Sequence, residues 1–336
     1  MANGGIIGPV NNPVLSDKIS SFTAPGTFTK SGLNTPATAA LLVVGGGGGG
    51  GGRGGSSGGG AGGFRIIASQ PLPASPLVVT VGAGGAGGVN SAPVGCGNGT
   101  KGGNSTFATA TSPISATGGA SGRAPLGVGP ISPSGATGLP GGSGSGGAVV
   151  VNSPGSTGSG AGNEGSYSPS EGNPGGTGIG HSAGGSGGAA GAGANGGGGC
   201  NGPGLGGSGT DVTPTFGASP QPFYGPTSGI YAGGGSGHFL NMPGASRTAR
   251  APGGGGQTGN YAGDPVIVVG TDALANTGGG GGGMGIGCSP GVPAYNAASG
   301  AGGIILVKEP ASLVTAPGVW TLQEAFTYSK AGTWGG

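Results

Sequence analysis

Charged side chains are scarce in this sequence, which holds 10 Lys and Arg residues and 8 Asp and Glu residues among 336. Proteins that bind nucleic acid draw affinity from many Lys and Arg contacts to phosphates, so a net charge of +2 argues against that class. Disordered segments usually stay soluble through a high net charge, which this chain also lacks. We therefore expect no nucleic-acid partner, and the composition does not fit a charged, disordered tail.

Long apolar runs and closely spaced cysteines are missing as well. The longest aliphatic runs, such as Leu41 to Val44, fall far short of the roughly 18 residues of a membrane helix. The opening residues MANGGIIGPVNNP have neither the basic region nor the apolar core of a secretory signal. Cys96, Cys200 and Cys288 lie too far apart for a disulfide framework or a zinc site. We expect no membrane span, synthesis in the cytoplasm, and cysteines that act as small buried apolar residues.

Residues that carry chemistry are few and scattered. The chain has two histidines, His181 and His238, and its eight carboxylates are spread singly along the sequence. No acid and base pair, catalytic triad or metal-ligand cluster follows from such spacing. Strings that match G-x-G-x-x-G, as around residues 82–87, are expected by chance in a chain this rich in glycine. The sequence therefore predicts a protein that is not an enzyme, with no catalytic residues, no cofactor and no metal site.

Glycine is what the chain has in excess: 98 of 336 residues are Gly and 28 are Pro. Such a level favours disorder or a fibrous architecture over an ordinary globular core. One run of glycines, Gly45 to Gly52, follows the strand-like LLVV and leads towards the apolar group Phe64, Ile66 and Ile67. Further short pieces typical of strands punctuate the glycine, namely ALLVV, FRIIA, PLVVTV, AVVV, PVIVV and GGIILVKEP. The glycines thus belong to a pattern rather than to a simple linker.

An extended helix of the polyproline II type can use this glycine. It has three residues per turn and makes no internal hydrogen bonds, so its N–H and C=O groups point sideways towards neighbours. Neighbouring helices can bond to one another if no Cβ keeps them apart, and only glycine allows that approach. Collagen fits poorly because the strict G-X-Y period holds only briefly. We predict a mostly irregular and all-β fold: a glycine-rich bundle of polyglycine helices with short β-strands and one short C-terminal helix.

Three segments differ in composition. Residues 1–38 are of ordinary complexity and are predicted to form an N-terminal β and attachment segment. Residues 39–303 are predicted to form the glycine-rich bundle. Residues 304–336 are predicted to form a C-terminal strand and a short helix, because Thr321 and Glu324 make a capping box. We expect this last segment to attach the protein or to contact a sister subunit.

The motifs TFTKSG, ALLVVGGGGGGGG, PLVVTVGAGG, GNGTKGGNSTF and GAGGIILVKE, between about residues 22 and 309, resemble the glycine-rich domain of bacteriophage tail-fibre and minor tail proteins. The terminal segments NGGIIGPVNNP and PGVWTLQEAFTYSKAGTW are similar to segments of cyanophage virion proteins. The resemblance implies packed polyglycine helices whose loops contact the host. It also implies that the protein is assembled in the host cytoplasm and located in the virion. The implied partners are other virion proteins and a host receptor or polysaccharide. The implied oligomeric state is a homo-oligomer, with a trimer favoured.

Residues that could bind a receptor should lie where the glycine pattern is interrupted, because loops on a rigid scaffold carry recognition. The longest interruption, Thr213 to Arg250, is rich in aromatic residues. Tyr and Arg are favoured anchors of recognition surfaces, and aromatic rings stack on sugars. The predicted receptor-binding residues are Tyr224, Tyr231, Arg247, Phe223 and Phe239. The alternative is that these aromatic residues form a hydrophobic cluster that seals the bundle or a subunit contact.

Attachment to the particle is predicted to involve Trp320, Phe326 and Trp334, since aromatic residues are enriched at interfaces. The alternative for the two tryptophans is that they close a small terminal core. Taken together, the sequence predicts a structural protein of a phage virion, a tail fibre or tail-tip component that presents loops for host attachment. A capsid decoration or head-fibre protein is the first alternative. A silk-like cellular protein is the second, although the regular repeat that it requires is not visible.

Overall fold

A computed structural model describes most of the chain. The described residues are 16–30, 38–52, 54–73, 76–91, 95–125, 135–149, 155–198, 202–239, 248–259, 270–284, 295–310 and 330. They are mostly strands and irregular segments with very little helix, as the sequence predicts. The predicted C-terminal helix around Thr321 and Glu324 lies outside the described residues. In the described part, no helix is long and apolar enough to cross a membrane.

The strands are short. The first eight are β1 (Lys18–Phe22), β2 (Gly26–Phe28), β3 (Thr38–Val44), β4 (Phe64–Pro71), β5 (Leu77–Thr80), β6 (Val89–Ser91), β7 (Gly95–Cys96) and β8 (Ser105–Phe107). The other seven are β9 (Ile114–Ala116), β10 (Ser156–Thr157), β11 (Gly178–Ile179), β12 (Thr210–Asp211), β13 (Ile230–Tyr231), β14 (Tyr295–Asn296) and β15 (Ile304–Glu309). One helical turn, α1 (Thr213–Phe216), and one 3₁₀ turn, Gly225–Thr227, complete the described elements. The strands expected at ALLVV, FRIIA, PLVVTV and GGIILVKEP are confirmed as β3, β4, β5 and β15.

Two antiparallel four-stranded sheets lie at one end of the molecule, which we call the sheet end. Sheet A has the order β1-β15-β3-β4, and sheet B has the order β2-β5-β8-β9. Sheet A joins strands from all three predicted segments, since β15 pairs with both β1 and β3. Two ion pairs tie β15 to the residues around β1: Lys18 Nζ lies 3.9 Å from Glu309, and Lys308 Nζ lies 2.8 Å from Asp17.

Sheet A is covered on both faces, because alternate residues of its two central strands enter two different cores. The core between the two sheets includes Leu41, Val43, Ile305 and Val307 of sheet A and Phe28, Leu77, Val79, Phe107 and Ile114 of sheet B. The core on the opposite face includes Leu42, Val44, Phe64, Ile304 and Leu306 of sheet A and Val212, Phe216, Tyr224 and Tyr231 of the segment that follows β12. Residues 212–232, which we call the cap, therefore form a third layer.

Glycine segments continue directly from the strands of the two sheets. Strand β3 runs into residues 45–52, the chain turns at 54–57, and residues 57–63 run back into β4. The two glycine segments are joined by backbone hydrogen bonds at every third residue: Gly45, Gly48 and Gly51 donate their N–H groups to the carbonyls of Gly63, Gly60 and Ser57, at 2.9, 2.9 and 3.0 Å. An ordinary antiparallel ladder repeats every two residues, so this pattern is of a different kind.

The segment 45–52 has six neighbours. Its remaining N–H groups bond in the same three-residue rhythm to residues 97–103 and 298–301, and three other segments donate to its carbonyls, namely 85–88, 119–122 and 281–284. Gly49, for example, donates to Thr100 O at 3.0 Å and accepts from Gly122 N at 2.7 Å. All the N–H groups of this buried run, and the carbonyls of residues 46–51, therefore have partners without any regular strand or α-helix. This removes most of the cost of burying unpaired polar groups.

The close approach of these neighbours explains the unbroken run of glycines. A Cβ on Gly48 would lie 2.0 Å from the carbonyl oxygen of Ala120, and one on Gly49 would lie 2.0 Å from the carbonyl oxygen of Ala86. A Cβ on any other residue of the run would come within 2.5 Å of a neighbouring backbone atom. Because all directions around the run are occupied by backbone, a side chain has no room at any of its eight positions.

Serine, asparagine and threonine side chains take the place of backbone acceptors where the pattern is incomplete. The hydroxyl of Ser105 accepts from Gly82 N at 2.9 Å and donates to Val44 O at 2.7 Å. Asn104 Oδ1 accepts from Gly118 N at 2.8 Å, and Asn98 Oδ1 accepts from Ala124 N at 2.9 Å. The polar residues scattered through the glycine region thus keep the backbone satisfied, which is what buried N–H groups require.

Replacing Gly48 by Ala should destabilise the fold by about 3 kcal/mol or more, because backbone rather than a movable side chain occupies the space of the new methyl group. The matched control is Gly302→Ala, whose Cβ would lie 3.7 Å from its nearest neighbour, Gly82 O, and should change stability by less than about 1 kcal/mol. Urea unfolding followed by circular dichroism measures both variants. Equal stability of the two variants would contradict the close packing of residues 45–52.

Candidate functional site

The ends of the glycine segments opposite the sheets form a second distinct region, which we call the tip. It contains the turn at 54–57, the small sheet β14-β6-β7, and Met284, whose N–H bonds to Gly51 O at 3.0 Å. Val149 N also bonds here, to Gly55 O at 2.9 Å. Since β3 and β4 lie at the other end of the hairpin that turns at 54–57, the glycine segments separate the tip from the sheet end.

The tip presents an apolar and a cationic side chain. Val89 at the start of β6 is 49% exposed. Arg123 is half-buried beside the turn, where its backbone N–H bonds to Ser57 Oγ at 3.0 Å. Its guanidinium Nε is buried and has no hydrogen-bond partner, so only the rest of the group can face solvent. A guanidinium group is suited to bind carboxylates or hydroxyl groups. The tip can therefore offer both an apolar contact and a positive charge.

The cap at the sheet end holds most of the predicted receptor-binding residues. Tyr224 and Tyr231 are each 1% exposed, and Phe223 is half-buried with its ring 4.8 Å from the Tyr224 ring in an edge-on arrangement. The Tyr231 hydroxyl donates to Phe223 O at 3.1 Å, and the Tyr224 hydroxyl donates to Gly217 O. These rings pack in the core beneath the cap, which is the arrangement of the alternative interpretation.

Burial dominates the electrostatics of the two tyrosines. Burial raises the pKa of Tyr231, and the nearby Tyr224 raises it slightly further. Burial also raises the pKa of Tyr224, and the negative charge of Asp211 adds a smaller increase. The phenols therefore stay neutral and act as hydrogen-bond donors inside the core. This chemistry suits packing and orientation of the cap.

The remaining predicted residues lie elsewhere. Phe239 is 2% exposed and belongs to the tip side of the molecule, since His238 next to it bonds to Ser56. Arg247, Trp320, Phe326 and Trp334 lie outside the described residues. Thr248, the neighbour of Arg247, bonds to Thr258, which in turn donates to Gly283 O near the tip. The structure thus brings Tyr224, Tyr231 and Phe223 together at the sheet end and does not bring Phe239 to them.

A cleft of about 290 Å³ lies on sheet A beside the cap. Its lining includes Ala40 and Ala68 of the sheet, Thr215 of the cap, and the Lys308–Asp17 ion pair. Lys308 Nζ also donates to Thr215 O at 2.8 Å and so fastens the cap to β15. Pro310, directly after β15, lines the same cleft. The cleft therefore lies where the cap, β15 and the residues before β1 meet.

Two ionisable residues of the described part make well-defined structural contacts. The carboxylate of buried Glu171 accepts from Thr117 N at 2.8 Å and from Gly165 N at 3.1 Å. Arg65 stacks on the Tyr167 ring at 3.9 Å and donates to Ser115 O at 2.8 Å. Within the described ranges, no group of three His, Cys, Asp or Glu side chains is placed to hold a metal ion.

A family model described as a glycine-rich domain matches residues 23–309. The chain belongs to this glycine-rich domain family. No curated protein matches the chain. The matched range begins directly after β1 and ends with β15, so it covers sheet B, the other three strands of sheet A and the glycine segments that continue them.

Sequence reasoning missed α1, Val89 and Arg123. Helix α1 has four residues and contains Pro214, so it lacks the apolar period that reveals longer helices. Asp211 supports it by accepting from Thr213 N at 2.8 Å. Val89 follows the glycine segment that begins after β5, and Arg123 follows the one that begins after β9. Each residue thus lies at the end of its segment that is farther from the strand, and this position in the sequence could have identified it.

Truncating Tyr231 should test the packing of the cap. Tyr231→Ala should lower the free energy of unfolding by about 3 to 5 kcal/mol, as for other buried aromatic residues, because its ring fills the core above sheet A. Tyr231→Phe keeps the ring, loses the bond to Phe223 O, and should cost only about 1 kcal/mol. Urea unfolding measures both. An alanine variant as stable as the phenylalanine variant would show that the cap is not packed as described.

Proposed function

We propose that this chain is a non-enzymatic structural protein of a phage virion, a tail fibre or tail-tip component that presents its tip to the host cell. The observation that carries the proposal is the opposite placement of the outer strands and the tip. Strands β1 and β15, the first and last of the described strands, pair in sheet A at the sheet end, whereas the turn at 54–57 lies at the other end of the glycine segments. Such a layout suits a protein that is held at one end and makes contact at the other.

We also propose that the glycine segments are polyglycine helices of the polyproline II type. What supports this is the three-residue hydrogen-bond period, since such a helix has three residues per turn and directs its N–H groups sideways. Six neighbours around residues 45–52 fit hexagonal packing of threefold helices. Eight residues at a rise of about 3.1 Å would place the tip about 25 Å from the strands.

The contact with the host is proposed to lie at the tip. Glycine segments expose little side-chain surface, so recognition must come from the residues where they turn. Arg123 and Val89 are the described candidates, and Arg247 remains a candidate because Thr248 beside it is tied towards the tip. Guanidinium groups bind hydroxyls and acidic sugars well, which fits a surface polysaccharide or a receptor of the host.

Attachment to other virion proteins is proposed to use the sheet end and the segments that leave it, including Trp320, Phe326 and Trp334. The cleft beside Lys308 and Pro310 lies at the end of β15, which directly precedes residues 311–336 in the sequence. Self-association at this end, with a trimer favoured, would place several tips side by side. Multiple weak contacts of this kind raise the overall strength of adsorption.

Epitope tags at the two ends test the proposal. One tag is inserted after Pro125, next to the tip, and the matched control is inserted after Ala24 in the exposed turn between β1 and β2. Immuno-electron microscopy of intact particles should find both on the tail, with the Pro125 tag farther from the particle. Antibody against the Pro125 tag should block adsorption, whereas antibody against the Ala24 tag should not.

Three outcomes would change the assignment. Tags on the capsid would favour the head-fibre or decoration alternative. Particles without either tag, although the tagged chains fold and are made in normal amounts, would refute a virion role. Blocking by the Ala24 antibody alone would place the host contact at the sheet end, where the aromatic residues of the cap lie.

A further inference from the structure

His238 lies completely buried at the tip, where several segments meet. Its Nδ1 accepts a hydrogen bond from Gly55 N at 3.0 Å, and its backbone N–H donates to Ser56 O at 2.9 Å. Its own carbonyl accepts from Ala183 N at 2.9 Å. The imidazole therefore connects the turn at 54–57 to the segment 233–239.

The hydrogen bond from Gly55 fixes the protonation state of the ring. Because Nδ1 is the acceptor, the neutral imidazole carries its hydrogen on Nε2. Nε2 is buried and has no hydrogen-bond partner. A second proton on Nδ1 would point at the Gly55 N–H, so two donors would face each other and the bond would be lost.

The described residues that bond to the His238 segment offer no negative charge to stabilise the protonated ring. Residues 235–238 form hydrogen bonds with residues 55, 56, 59, 183, 186, 204, 256 and 283, all of which are uncharged. Arg123, which pairs with Ser57 of the same turn, is a positive charge and does not stabilise a second one. His181 is a titratable group beside this contact, two residues before Ala183. Burial alone lowers the pKa of His238 from 6.5 to about 3. Protonation is thus strongly coupled to exposure of the ring.

Gly55 connects the His238 hydrogen bond to the rest of the tip. Its N–H is held by His238, and its carbonyl accepts from Val149 N at 2.9 Å. The turn that it forms joins the central glycine segment to the returning one, with Gly55 at a positive φ of 79°. Loss of the hydrogen bond between Gly55 and His238 therefore weakens the turn at 54–57 and, with it, the contact of Val149 with Gly55.

We propose that His238 is an acid-sensitive latch that opens the tip locally when its imidazole takes up a proton. The closed tip holds the ring neutral against Gly55, and the open tip exposes it to water. The sign follows from linkage: the folded-state pKa lies below the value of the free ring, so stability of the closed tip is full above about pH 6.5 and falls as the pH drops. The inference does not depend on the virion assignment.

Hydrogen exchange of the full chain at pH 7.5 and pH 4.5 tests the latch, after correction for the pH dependence of intrinsic exchange. The local opening constant of the peptide that contains Gly55 should rise by about 100-fold at the lower pH, because the open ring is protonated and the closed ring is not. Peptides from residues 45–50 should change far less. Equal protection of the Gly55 peptide at both pH values would overturn the proposal.

Two variants separate His238 from other acid effects. His238→Gln retains an acceptor for Gly55 but cannot titrate, so its Gly55 peptide should show no such rise, whereas His181→Gln should behave as the parent chain does. The same acid response in His238→Gln and in the parent would refute the latch. If His238→Gln does not fold, an NMR titration of the parent decides: a His238 ring that titrates near pH 6.5 while the Gly55 peptide stays protected would also refute it.

Discussion

Hydrogen bonds between the backbones of glycine segments are the interaction on which this structure depends. They form only because no Cβ separates the segments, as the 2.0 Å distance from a Cβ on Gly48 to the Ala120 carbonyl illustrates. Each such bond contributes a modest net free energy, but an unpaired buried group would cost more. The glycine content that would disorder an ordinary chain is therefore the condition for order here.

The same constraint places the two described hydrophobic cores at the sheet end. Glycine segments contribute no side chains, so the two cores form around sheet A, between sheet B on one face and the cap on the other. The strands anchor the glycine segments at that end, and the tip is left with turns and small strands. The stability of the molecule and its proposed recognition surface are thus placed at opposite ends, where changes at one need not disturb the other.

The sequence was sufficient to predict strands β3, β4, β5 and β15 and the close packing of glycine backbones, because both follow from local composition. It did not predict β8 and β9, which are only three residues long. It was not sufficient to decide between packing and recognition for the aromatic cap, since rings suit either role. One signal was available: LLVV in β3 and IILV in β15 are continuous apolar runs rather than alternating ones, which indicates burial on both faces of the sheet. A further layer over sheet A, such as the cap, was therefore required. Residues 82–89 also show a pattern that indicates a threefold repeat. Their non-glycine residues, Ala83, Ala86 and Val89, recur at every third position, and these three are the exposed residues of the segment.

NMR spectroscopy of residues 45–52 in the intact chain tests the central claim most directly. Scalar couplings across hydrogen bonds should link the amide of Gly48 to the carbonyl of Gly60 and that of Gly49 to Thr100, and those of the remaining glycines to their own partners. The backbone angles should lie near φ of about −75° and ψ of about +145°, the values of a polyproline II helix. Absent couplings, together with amides that exchange as fast as in an unstructured peptide, would show that the glycine run is a flexible linker and would contradict the account.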